Sequence, residues 1–250
     1  MRCFPLPKSH SSNTSTCDSA IAAKHPIAQW LTNHQNEVFE LSNTQQLALA
    51  NLLPLLLCGE QSAIHVFNTE SSRISQVSDT HPAINELERQ KALLYLQQIE
   101  ADERIHEQAL QFILDKLPVA SEQHKIKRIA QRFYASIAQQ TNTVTQHFQV
   151  IAQLDTCVCL LMDAVAKSSI KQSSLAELFR LIKKDEARHV NIAKKHSVML
   201  LKNEITAPPL IDLKIQQQLV NMLNTQLPAL QHLQIDSQIL FKRILKSAAS

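Results

Sequence analysis

One glycine, Gly59, stands in a chain of 250 residues. Strand-rich proteins need glycines at primed turns and bulges, where φ is positive or a side chain does not fit. A β protein of this length with one glycine has no supply of such turns. Leu, Ala and Gln are the commonest residues instead, with Ile and Lys frequent, and all of these favour helix or tolerate it. The chain reads as all-α, and its length suits one large domain with a sizeable core.

Residues 1–20 are rich in Ser, Thr and Pro without periodicity and read as a loose tail, with a single helical domain over 21–250. "IAQWL" (27–31) opens a short helix. Apolar spacing predicts a long helix from Asn43 to about Ser75, kinked at Pro54, which lacks a backbone donor. "SDTHPA" (78–83) supplies a cap and a turn, and a second helix runs to about Leu117, stopped by Pro118. "SEQHKIKRIAQRFYASIAQQ" (121–140) is amphipathic and polar enough for a connecting helix on the surface. A third long helix spans about Thr141 to Ala166. "KSSIKQSS" (167–174) turns the chain, and a fourth runs from about Leu175 to Leu201. After "APPL" (207–210), two shorter helices cover about 211–226 and 236–247, separated by Pro228 and "LQID". The core bundle is therefore expected over about 43–201, with C-terminal helices over about 211–247.

A formal charge of +3 comes without any Lys/Arg block interleaved with aromatics, so nucleic acid is not implied. Five cysteines, Cys3, Cys17, Cys58, Cys157 and Cys159, lack C-x-x-C spacing, which argues against a zinc ribbon or disulfide framework and suits a reducing cytoplasm. The N-terminus lacks the apolar region of a signal peptide. The run "LALANLLPLLLC" (47–58) is short for a bilayer and carries Pro54, so no membrane partner is expected.

The pattern D-E-x-x-H occurs twice, as "DERIH" (102–106) and "DEARH" (185–189), and no other E-x-x-H exists in the chain. Positions i and i+3 share a helix face, so Glu103 projects with His106 and Glu186 with His189. One such pair is usually a solvated face. Two pairs on separate helices are what a dinuclear carboxylate site in a four-helix bundle requires, together with one carboxylate from each remaining helix.

Those carboxylates must lie at the height of the pairs, which a residue count from each turn measures. From a turn near Ile170, Glu186 is about sixteen residues on, Asp155 about fifteen back and Asp163 only about seven back, so Asp163 misses by about 13 Å. From a turn near Asp79, Glu103 is about twenty-four residues on, Glu60 about nineteen back and Glu70 about nine back. Glu60 misses by about 7 Å, within reach of uneven turn placement or the Pro54 kink. It also interrupts an apolar stretch, where a carboxylate is costly unless paired or bound to a cation. The candidate ligand set is Glu60, Glu103, His106, Asp155, Glu186 and His189. Four carboxylates and two imidazoles suit two ions of Fe or Mn better than a thiolate-preferring metal.

The order carboxylate, E-x-x-H, carboxylate, E-x-x-H over about 43–201 resembles the ferritin-like dinuclear iron proteins, a superfamily that includes oxygenases, desaturases and ribonucleotide-reductase small subunits. The resemblance implies a ferritin-like four-helix bundle with a connecting helix between its second and third members and extra helices at the C-terminus. It departs at Asp155, where Glu is usual, and the shorter arm leaves metal occupancy there open. It also implies that Asp102 and Asp185 accept hydrogen bonds from metal-bound histidines across the site, Asp102 from His189 and Asp185 from His106. The plainer reading makes them exposed acids paired with Arg104 and Arg188.

The function implied is activation of O2 by two iron ions to hydroxylate, N-oxygenate or desaturate a small organic substrate, with an external electron donor and a second copy of the chain, as a homodimer, among the expected partners. Leu56, Ile64, Leu110, Cys159, Met162 and Ile182 are expected to keep water away. Ile182 stands where the arylamine N-oxygenase branch carries an additional His. The alternatives are a non-enzymatic iron-handling or stress protein, or a scaffold with a degenerate site. Gly59 reads either as space beside the metals or as a point of close helix packing. His65 and His196 read as polar or core histidines, and neither Tyr95 nor Tyr134 has a spacing that demands a role.

Overall fold

The computed structural model describes residues 3–4, 24–76, 86–141, 143–203 and 214–247. Among them stand nine helices and no strand: α1 (Pro26–His34), α2 (Asn43–Gln76), α3 (Glu86–Asp115), α4 (Gln123–Gln140), α5 (Val144–Ala166), α6 (Ser174–Asn203), α7 (Ile215–Asn224), α8 (Leu227–His232) and α9 (Ser237–Lys246). Most of the tail, the turn at 78–83 and the break at 207–210 lie outside the described residues.

The long helices form where apolar residues recur at helical spacing. Along α2, Leu49, Leu53, Leu56, Leu57, Ile64 and Phe67 are all buried, and Pro54 sits inside the helix without ending it. A capping box starts α5, in which the Thr143 hydroxyl accepts from the Gln146 N–H and the Gln146 side chain accepts from the Thr143 N–H. α2 packs along α3 and α5 packs along α6, and contact between α3 and α6 joins the two hairpins. Each hairpin carries one D-E-x-x-H, on α3 and on α6.

The connecting helix α4 is more than a surface strap. Ile126, Ala130, Phe133, Tyr134 and Ile137 form a buried stripe that presses on α2. At Gly59 the two helices meet closely: a Cβ there would stand 2.6 Å from Tyr134 Oη. On the opposite side, α1 lies across α3 and α6. It is fastened by Trp30, whose Nε1–H donates to the Ser174 carbonyl at 3.1 Å and whose ring meets Phe112 edge-on.

Pro228, expected to lie between two C-terminal helices, instead occupies the first turn of the short helix α8, where a missing N–H costs nothing. That helix ends in a left-handed cap, a position that usually falls to glycine. Here Gln234 takes it at φ 59°, with the Ile235 N–H donating to the Leu230 carbonyl at 2.9 Å. α8 rests on α2 and α9 on α5.

Asn43–Thr69 and Thr145–Ala166 are long and apolar enough to cross a membrane by length and composition, with mean hydropathy 1.4 and 1.5. Both belong to the bundle, and 78% and 50% of their most apolar windows are buried inside it.

Candidate metal centre

At the middle of the four long helices, two imidazoles face each other with ring centroids 6.0 Å apart. The i, i+3 spacing on α3 and α6 turns each pair inward, so Glu103, His106, Glu186 and His189 are all at most 3% exposed. Glu103 spans the two rings with opposite oxygens, Oε2 lying 3.6 Å from His106 Nδ1 and Oε1 3.2 Å from His189 Nδ1. Glu186 does the same from the other side, at 3.3 Å from His106 and 3.6 Å from His189.

The other two helices each add a carboxylate. Glu60 of α2 lies 3.4 Å from His106 Nδ1 and is 5% exposed. Asp155 of α5 joins Glu186 and His189 at the other end. The result is two overlapping groups able to hold a metal ion, Glu60–Glu103–His106–Glu186 and Asp155–Glu186–His189, each with ligand atoms within 4.8 Å of one another. Asp163, the competing acid on α5, points away and bonds Lys167 at 2.9 Å and Lys183 at 2.7 Å. Of the side chain of Glu70, the competitor on α2, nothing is described.

Behind each imidazole stands an aspartate from the partner hairpin. Asp102 Oδ2 is 3.2 Å from His189 Nε2, and Asp185 Oδ2 is 3.4 Å from His106 Nε2. An acceptor beyond each Nε2 fixes the ring proton there and turns the Nδ1 lone pair inward. Arginine pairing coexists with this arrangement. Asp102 is buried and pairs with Arg188, not Arg104, whose guanidinium donates to Glu100 at 2.6 Å. Sequence reasoning missed His25, which caps α1 and places its Nε2 3.4 Å from both Asp102 and Asp185. Its only local signal was a His before the Pro that opens a helix.

Three buried side-chain atoms of the cluster have no hydrogen-bond partner: His106 Nδ1, His189 Nδ1 and Asp155 Oδ2. All three belong to the two groups, and orphaned buried donors or acceptors are rare unless something else satisfies them. The residues present therefore fit a metal.

The electrostatics are those of acids crowded in a core. Burial, then the neighbouring Glu103, pushes the Glu60 carboxyl well above its ordinary range. Burial, then Glu186 and Glu103, does the same to Asp155. Burial alone would raise Glu103, but the adjoining Glu60 carboxyl and the His106 and His189 imidazoles outweigh it and hold this carboxyl low. Both imidazoles rise, because Asp185 or Asp102 beyond Nε2 and the glutamate carboxyls near Nδ1 overcome a burial that favours the neutral ring. In a metal-free cluster protons balance the acids, and a divalent ion would displace them.

Glu60, Glu103, Asp155 and Glu186 also line a cavity of about 80 Å³, partly open to solvent, whose remaining walls come from α2, α4 and α5. Of the six apolar residues expected around the centre, Leu56 lines this cavity, while Ile64, Leu110, Met162 and Ile182 are packed into the core. Cys159 donates to the Lys183 carbonyl at 3.5 Å, and burial pushes its thiol up to about 12. His196 is a core histidine between the rings of Phe148 and Tyr95. No disulfide joins cysteines among the described residues.

Comparison of the chain with protein-family models, with curated proteins and with solved structures gives no match. Any functional reading therefore stands on the residues of the cluster and its surroundings.

Proposed function

We propose that the chain is a ferritin-like dinuclear iron protein that activates O2 to oxidise a small organic substrate. The observation that carries this reading is the double span of Glu103 and Glu186, each offering one oxygen to either side while both imidazole Nδ1 atoms face inward unpartnered. A single ion needs no such duplication. Glu103 and Glu186, which each reach both imidazoles, would hold two ions together with His106, His189, Glu60 and Asp155.

Two iron ions held there would supply the electrons that activate dioxygen, and an external donor would restore them. The surrounding residues set the conditions for that chemistry. Asp102 and Asp185 keep the ring protons on Nε2, so the nitrogens that face inward remain lone-pair donors. The hard oxygen donors favour iron or manganese over thiolate-preferring metals. The cavity gives an organic molecule access to the carboxylates, and its largely apolar walls limit the water that can follow. A storage protein needs no such cavity, which favours oxidation of a substrate over deposition of a mineral.

Anaerobic reconstitution with ferrous iron should load about two ions per chain, as the site template requires. The Glu186→Ala variant should lose that stoichiometry, because Glu186 belongs to both groups. If the variant still binds two ions, the assigned site is wrong. Mixing the loaded protein with O2 then separates the chemistries. A fixed oxygen uptake per centre that rises with reductant and substrate supports oxidation, whereas continued uptake of excess iron into a mineral would mean storage.

A further inference from the structure

The cavity has one feature that the metal reading leaves unused. Tyr134 of α4 is 8% exposed and lines it, and its hydroxyl forms no hydrogen bond among the described residues. Buried phenols usually find a partner. The hydroxyl reaches this place only because the facing residue of α2 is Gly59, where a Cβ would stand 2.6 Å from Oη. The chain's single glycine is thus spent on seating one phenol beside the carboxylates.

The surroundings say what would meet that hydroxyl. At neutral pH a phenol keeps its proton and donates. Leu56, Ile137, Val150, Leu154 and Val158 give the walls their apolar character. The Thr141 hydroxyl is already committed, donating to the Ile137 carbonyl at 2.8 Å. Glu60, Glu103, Asp155 and Glu186 crowd one end of the cavity with carboxyl groups, and a further anion there would add to that crowding. The enclosed space, about 80 Å³, is roughly half that of an engineered cavity that admits benzene. It suits the end of a small molecule whose remainder extends toward the opening.

We propose that Tyr134 Oη donates a hydrogen bond to a neutral, largely apolar substrate carrying one acceptor oxygen, and so anchors it over the carboxylate cluster. This rests on the oxidase reading for the word substrate, since it names the ligand class of the same site. The binding itself requires no turnover, so its test and the iron count fail independently.

The test compares two volatile probes of matched size, butan-2-one and 2-methylbut-1-ene, by headspace partitioning over the purified full chain. The wild type should bind both. Tyr134→Phe should weaken binding of the ketone by about three- to tenfold, the worth of one hydrogen bond, and leave the alkene unchanged. Unchanged alkene binding shows that the variant keeps its cavity. Ala138→Phe, which fills the cavity from α4, should abolish both. The proposal is overturned if the wild type holds neither probe, if Tyr134→Phe leaves the ketone unaffected or costs both probes equally, or if Ala138→Phe still binds.

Discussion

Asp155→Leu should make the metal-free protein more stable and the metal-loaded protein comparatively worse. The Oδ2 atom of Asp155 is sealed from solvent without a hydrogen bond, and Glu186 and Glu103 crowd the same carboxyl. Leucine has a similar reach and no polar atom. An unsatisfied buried polar group costs about 1–3 kcal/mol, so its removal should return about that much. In a domain of this size each kcal/mol shifts the melting temperature by about 2–4 °C, so a rise of about 2–12 °C is expected in chelator. Metal should narrow or invert the difference. A site filled at one hundred times its Kd adds about 2.7 kcal/mol, and the variant keeps only the group that does not contain Asp155. Scanning calorimetry of both proteins, in chelator and with ferrous iron under anaerobic conditions, reads both parts. If the variant melts at or below the wild type in chelator, or gains as much from metal, the reasoning fails. The pH dependence has a definite sign. Asp155 and Glu60 are raised when folded, so their stabilisation is full below the ordinary carboxyl range and is lost as pH climbs through the folded values. His106 and His189, also raised, act the same way from about pH 6.5 upward. Glu103 and Asp102 are lowered, so their contribution is present above about pH 4 and lost below it. Metal-free wild type should therefore be most stable near about pH 4, and Asp155→Leu should flatten the fall on the alkaline side of that profile.

Two further perturbations address the surroundings of the cluster. Asp102→Asn and Asp185→Asn should each weaken metal binding by about ten- to a hundredfold while leaving two sites in place, as read by competitive chelator titration. No change would mean that the aspartates serve Arg188 and His25 alone. Gly59→Ala should destabilise the fold by about 1–3 kcal/mol through overpacking, and combination with Tyr134→Phe should recover part of that loss. Strict additivity in denaturant melts of the four proteins would show that Gly59 and Tyr134 do not meet.

What the sequence disclosed, and what it hid, follows from how far each signal reaches along the chain. Helices betray themselves through neighbours three and four residues apart, which is why α2, α3, α5 and α6 fall close to their expected bounds. Residue counting from a turn extends that reach to one hairpin, and it distinguishes Asp155 from Asp163 because the two differ by about two helical turns. Contacts between elements without a shared turn leave no such trace. His25 meets Asp102 and Asp185 from a helix outside both hairpins, and nothing near it in sequence announces an acid. Tyr134 was passed over for the same reason, since spacing along α4 does not reveal that Gly59 lies opposite. The C-terminal helix α8 was missed on a local rule. Pro228 reads as a breaker until the residues before it are known to hold the preceding turn.

His25 also has a thermodynamic consequence. Its ring bridges the two aspartates that orient the inward-facing histidines, so the seating of α1 and the order of the cluster are one equilibrium seen from two ends. Linkage makes such coupling reciprocal. Whatever factor a bound ion contributes to holding α1 in place, a firmly seated α1 must return to the affinity for that ion. A short helix that supplies no ligand would thereby set how tightly the ligands hold.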